Sequence, residues 1–156
     1  MFTPKDFKNL STELKEKQNV FKCGEGALSR TSISRLYYYI FLECREIIND
    51  KLNDRNKIIF ASEDCKKKHH YIVQVILYRL AKATKNENIS FLSNILNEFR
   101  EIRNDADYNL EIDITFEDYN VLIDFKEEIE NCVEELKNIP KNKFNRIFDR
   151  LSDKCK

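Results

Sequence analysis

The chain has 156 residues, enough for about one domain with a hydrophobic core that needs no staples. Lys plus Arg and Asp plus Glu each number 27, so no net field draws the whole molecule onto nucleic acid or a membrane, and any grip on a polyanion must come from local clustering. Two Gly and two Pro are too few for a turn-rich β protein and point to long helices.

Met1-Phe2-Thr3-Pro4-Lys5-Asp6 lacks the basic-then-apolar layout of a signal peptide. Thr3 suits an N-cap, Pro4 the first helical position and Asp6 the first turn, so a first helix is expected to about Gln18. Gly24 and Gly26 mark a break. A long second helix follows from about Glu25 to Leu52. It carries Leu36, Tyr37, Ile40, Phe41, Cys44, Ile47 and Ile48 at three- and four-residue spacing, which makes it the expected centre of the domain. Tyr37, Tyr38 and Tyr39 are consecutive and cannot share one face. Asn49 to Asn56 is polar and reads as a loop, and Lys57-Ile58-Ile59-Phe60 as a docked loop or a single helical turn.

Ser62, followed by Glu63 and Asp64, caps a third helix that turns Tyr71, Ile72, Val75, Ile76 and Leu80 inward. Lys82 to Asn88 reads as a loop, and a fourth helix covers about Ile89 to Tyr108. After an irregular link, Thr115 caps a fifth helix whose core stripe is Tyr119, Leu122, Ile123, Phe125 or Lys126, Ile129, Val133 and Leu136, with Pro140 ending it. These elements predict an all-α fold: an antiparallel helical bundle of four to five long helices plus a short C-terminal helix. Residues 1–140 form the expected bundle domain and 141–156 an amphipathic tail with Phe144, Ile147, Phe148 and Leu151 on one side.

Cysteines at 23, 44, 65, 132 and 155 have no C-x-x-C or Cys/His metal spacing, so no metal or cofactor is expected. Cys44 and Cys132 fall on apolar stripes, as expected of reduced, buried thiols in the cytoplasm. No apolar run reaches the length of a membrane span.

The segment Arg100-Glu101-Ile102-Arg103-Asn104-Asp105-Ala106-Asp107-Tyr108 carries the chemistry. Leu92, Ile95, Leu96, Phe99, Ile102 and Ala106 cover one side of the fourth helix. Arg100, Arg103, Asn104 and Asp107 form a stripe roughly 100° wide beside them. Polar groups held at the edge of a core need partners, so the stripe is either an interhelical network or a ligand site.

Two segments resemble a known family. Ser34-Arg35-Leu36-Tyr37-Tyr38-Tyr39-Ile40-Phe41 is similar to the S-R-x-Y-Y-x-x-F run on the central helix of HEPN domains (higher eukaryotes and prokaryotes nucleotide-binding). Arg103-Asn104-Asp105-Ala106-Asp107-Tyr108 resembles the R-x-x-A-D-Y ending of a late helix in one prokaryotic branch, and His69-His70 lies where that branch carries a His. The resemblance covers about residues 24–138. It implies a helical bundle, a homodimer, and work on RNA or nucleotides. It implies either a metal-independent ribonuclease of a toxin–antitoxin or phage-defence system, or a non-catalytic module that partners a nucleotidyltransferase or other effector. Active members place a His after an Arg and four to six further residues. Counted from Arg103 those places hold Tyr108, Asn109 and Leu110, so that His is missing.

Metal-free RNA cleavage needs a base, an acid and a cation on the phosphorane. Arg103, Asp107 and Tyr108 are the candidate catalytic set. Arg100, Asn104, Arg35, Lys67, Lys68, His69 and His70 are candidates for RNA or phosphate binding, with either histidine a candidate substitute for the missing one. Lys66-Lys67-Lys68-His69-His70 with Arg30, Arg35, Arg100 and Arg103 would make a local basic patch. The same residues also admit a purely architectural reading, with Arg103 paired to Asp107 one turn on and the Tyr108 ring buried.

Overall fold

Capping chemistry sets where the helices of this chain begin. In a computed structural model that describes residues 3–152, the Asp6 carboxylate accepts from the Thr3 amide at 2.6 Å and starts α1, Pro4–Glu16. A 3₁₀ turn at Gln18–Val20 follows, then α2 over Glu25–Lys51. Asn53 accepts from the Asn56 amide at 2.9 Å and opens α3, Asp54–Phe60. Ser62 accepts from the Cys65 amide at 3.3 Å and opens the short α4, Glu63–Lys66. Next come α5, His69–Thr84, and α6, Glu87–Tyr108. The Asp118 carboxylate accepts from the Thr115 amide at 2.9 Å and opens α7, Phe116–Asp124. The last two helices are α8, Lys126–Asn138, and α9, Lys141–Asp149. The fold is all-α, with no strand among the described residues.

Several boundaries depart from expectation, each for a local reason. The polar stretch after α2 is helical from Asp54, because Asn53 is a good cap and a helix reaching Phe60 buries that ring. The expected loop at 82–88 shrinks to Lys85 and Asn86. Lys85 takes the left-handed conformation (φ 54°) that ends α5, and the Asn86 side chain accepts from the Ile89 amide at 3.1 Å. The helix expected from Ser62 breaks at Lys67 and Lys68, and the one expected from Thr115 breaks at Phe125. On α5, Tyr71 is exposed and Val75 half-buried, while Val73 and Leu77 take the inward places. Phe125 is exposed and Ile123 half-buried.

The chain divides into two units. The first comprises Met1–Leu42 and Leu96–Ile129. Its core is built on Ile33, Leu36, Tyr37 and Ile40 of α2, Phe99 and Ala106 of α6, and Tyr119 of α7, all buried. Within it Ser11 on α1 donates to the Ser32 carbonyl at 2.8 Å, and Ser29 on α2 donates to the Ile114 carbonyl at 2.7 Å. These buried hydroxyls are satisfied by backbone oxygens across a close helix approach.

The second unit comprises Glu43–Ile95 and Glu130–Lys156. Cys44, Ile48, Ile72, Ile76, Leu77, Leu80 and Leu136 fill its core. Here α9 packs on α5 and α3, burying Phe144, Ile147 and Phe148, with Leu151 buried just beyond. Asn56 ties α3 to α9, donating to Asn145 Oδ1 at 3.1 Å and Asp149 Oδ1 at 2.8 Å. Cys44, Cys65 and Cys132 are buried thiols and Cys23 is exposed. Burial pushes the Cys44 thiol up to about 12, with Glu43 and Cys132 acting in the same sense, so it stays protonated. No helix among the described residues is long and apolar enough to cross a membrane. The readings on Met1, Phe2, Cys155 and the last residues of the tail lie outside the described residues.

Candidate functional site

The first unit holds an alternating row of aromatic rings and guanidinium groups. Phe7 of α1 stacks on Tyr38 of α2, with centroids 5.9 Å apart. The Arg35 guanidinium lies 5.3 Å from the Phe7 centroid and 5.8 Å from that of Tyr38. The Arg103 guanidinium lies 5.2 Å from the centroids of both Tyr38 and Tyr108. These distances are within the range of cation–π attraction. Helical spacing produces the row: Arg35 and Tyr38 are three residues apart on α2, and Arg103 and Tyr108 lie on the last two turns of α6.

Arg103 is also the hydrogen-bonding hub. Its Nη2 donates to the Tyr38 hydroxyl at 2.9 Å and the Tyr108 hydroxyl at 3.3 Å, and its Nη1 donates to Asn104 Oδ1 at 3.1 Å. Its Nε lies 2.7 Å from Asp107 Oδ2, an ion-pair distance, but the Nε hydrogen is not directed at that oxygen or at any other and is buried. Ser34 on α2 donates to the same Asp107 oxygen at 3.4 Å. The Arg103 side chain is 14% exposed. It therefore offers a guest little beyond one Nη1 hydrogen, and its main work is to hold two tyrosine rings and a carboxylate in register.

Its neighbours are available. Tyr108 is 72% exposed although its hydroxyl is held, so one face of a fixed ring is open to solvent. In the architectural alternative the Tyr108 ring would be buried, and that part of it does not hold. Arg35 and Arg100 are half-buried, and neither has an acidic or hydrogen-bonded side-chain partner among the described residues.

Arg30 is different, and its place in a basic patch is corrected. Its Nη1 donates to the carbonyls of Asp105 at 3.1 Å, Ala106 at 2.9 Å and Asn109 at 3.1 Å, and its Nη2 donates to the carbonyl of Ile112. It caps the C-terminal end of α6, where orphan carbonyls and the helix dipole both favour a cation.

Lys67, Lys68, His69 and His70 belong to the second unit. Lys66 pairs with Glu63 at 2.7 Å and Lys67 with Asp64 at 3.5 Å, so two of the three lysines face acids of their own turn. Lys68 sits at the N-cap of α5. His69 stacks on Phe60 (centroids 4.4 Å apart), and its Nε2 is 2.8 Å from the Phe60 carbonyl, to which it donates as the Nε2-H tautomer. Burial holds this imidazole below its usual value. Arg45 and Lys66 add to that, and the carbonyl opposes it. The ring joins the last residue of α3 to the first residue of α5.

The sequence reading missed Phe7 and Ser34 and gave Tyr38 no role. The signal for Ser34, Arg35 and Tyr38 was their i, i+1, i+4 spacing on one edge of α2.

Against known proteins, the chain is 30% identical over a 160-residue alignment to the uncharacterized protein MJ0628 of Methanocaldococcus jannaschii, taking in 98% of this chain and 87% of that protein. It is 31% identical over 121 residues to the uncharacterized protein MJ0992 of the same archaeon, covering 74% of this chain and 66% of that protein. No protein-family model and no solved structure matches the chain.

Proposed function

This chain belongs to the same family as MJ0628 of Methanocaldococcus jannaschii, and we propose that it is a HEPN-like domain whose first unit binds RNA or a nucleotide at the arginine–tyrosine row. Tyr108 is the base-stacking platform, Arg100 the phosphate contact, and Arg103 the residue that fixes the platform. The observation that carries this reading is the Tyr108 ring, held at hydroxyl and face by Arg103 yet 72% exposed. An exposed aromatic normally turns freely. One held in place about two turns along α6 from Arg100, a guanidinium with no acidic partner among the described residues, matches the stacking and charge pairing by which proteins hold unstacked bases. The homodimer, the metal-independent ribonuclease activity and the toxin–antitoxin or phage-defence setting belong to the same proposal.

A second reading, a non-catalytic module that docks a nucleotidyltransferase or other effector, is favoured by one observation. Arg103 spends its donors on Tyr38, Tyr108 and Asn104, and both histidines of the chain lie at 69 and 70, in the second unit. Incubation of labelled RNA with purified protein in EDTA separates the two. Retention with cutting supports the first reading. Retention without cutting supports binding alone, and no retention refutes both forms of RNA work.

A further inference from the structure

The second unit carries a groove remote in sequence from the arginine–tyrosine row. It lies between α5 and α9, has a volume of about 530 Å³, and is lined by Arg79, Lys82, Lys143, Arg146 and Arg150 around Ala83 and Ile147. Five cations and no acid form its wall. Arg79, Lys143, Arg146 and Arg150 have no side-chain partner among the described residues. The one acid of α9, Asp149, accepts from Asn56 instead. Lys82 lies over the ring of Tyr78 at 4.5 Å, and Tyr78 is half exposed. Tyr78 and Lys82 also line an adjoining pocket of about 280 Å³.

The placement is not accidental to helix formation. Phe144, Ile147 and Phe148 bury one side of α9, which leaves Lys143, Arg146 and Arg150 at i, i+3 and i+7 along one edge of it. On α5, Arg79 and Lys82 are three residues apart on the facing edge. The unit containing them is basic: by sequence it has 17 Lys and Arg against 12 Asp and Glu, while the first unit has 10 against 15. The neutral total conceals this segregation. Five like charges lining one groove repel one another, and an anion seated among them removes that cost.

We propose that the α5–α9 groove is a second binding site, for the phosphate backbone of a single-stranded nucleic acid, with Tyr78 as a stacking ring at its end. From Lys143 to Arg150 the row spans about 10 Å, the length of about three stacked nucleotides at 3.4 Å each. A free phosphate would leave most of that row empty. An acidic peptide would match the charge but makes no use of the adjoining tyrosine. The proposal does not rest on the arginine–tyrosine row of the first unit.

The test titrates fluorescein-labelled oligouridylate with full-length Tyr108→Ala protein, so that the first site is weakened, and follows anisotropy between about 50 and 200 mM salt. Binding should persist in this background. Arg146→Ala with Arg150→Ala should weaken it about tenfold or more and flatten the dependence of log affinity on log salt by about 1.4, two lost contacts at about 0.7 each. Both arginines are exposed, so the thermal midpoint should hold. Arg146→Lys with Arg150→Lys should restore most of the affinity whether or not the alanine variant is less stable. Unchanged binding by the alanine variant, no binding by the Tyr108→Ala protein, or equal affinity for polyglutamate would each overturn the assignment.

Discussion

Replacing Arg30 by Met should loosen the end of α6 and the row that depends on it. Arg30 bridges four carbonyls, those of Asp105, Ala106, Asn109 and Ile112, from one guanidinium. Hydrogen bonds to a charged group are worth about 1.5–3 kcal/mol each when buried. This group is half-buried and water can replace the arginine at the freed carbonyls, so each contact is discounted to well under 1 kcal/mol. The favourable cation at a helix C-terminus adds about 0.3–1 kcal/mol. The expected loss is about 2–3 kcal/mol, which for a chain of this size lowers the thermal midpoint by about 5–10 °C. Methionine keeps the aliphatic stem, so packing is held nearly constant. Arg30→Lys should recover only the helix-end charge, because an ammonium cannot reach both ends of a loop that runs from Asp105 to Ile112. Urea unfolding of the three proteins gives the energies, and amide exchange gives the place: protection should fall first over the last turn of α6. A loss below about 0.5 kcal/mol in the Met variant, or full rescue by Lys, would refute the capping argument.

Three further outcomes follow from other parts of the molecule. A double-mutant cycle on Arg103→Met and Asp107→Asn should show a coupling of about 1 kcal/mol, more than an exposed i, i+4 pair, because the two side chains are only 14% and 24% exposed; a coupling near zero would mean the 2.7 Å approach carries no energy. Lys85→Gly should stabilise the protein by about 0.5–1 kcal/mol in urea unfolding, since residue 85 sits at φ 54° where glycine has no Cβ penalty, and destabilisation would contradict it. His69, whose imidazole is held below its usual value, contributes stability that is full above the ordinary histidine range and is lost as pH falls through the lowered folded value; an NMR titration of His69 with a midpoint at or above that of free histidine would contradict this.

The parts of the fold legible in the sequence were those set by strong local chemistry. Thr3, Ser62 and Thr115 each begin a helix, and the three- and four-residue spacing on α2 marks buried positions from Leu36 to Ile48. The breaks at Lys67 and Phe125 were not legible, because neither is marked by Pro or Gly. In the site, helical spacing grouped Arg100, Arg103, Asn104 and Asp107, but which arginine would be consumed internally depended on Tyr38, contributed from α2. Arg30 looked like any surface cation until the carbonyls of residues 105–112 came within its reach. The α5–α9 groove was hidden for the same reason. Its charges lie more than 60 residues apart in sequence, and whole-chain neutrality concealed them.

The most direct test of the central claim is the affinity of labelled RNA for the Arg146→Ala/Arg150→Ala protein, in which the groove of the second unit is weakened, and for the Tyr108→Ala and Arg100→Ala variants made in that background. The account predicts that this background still binds RNA, and that either further substitution weakens binding by roughly tenfold, about 1.4 kcal/mol, with the thermal midpoint unchanged in the Arg100→Ala protein. Equal affinity in all three would contradict it.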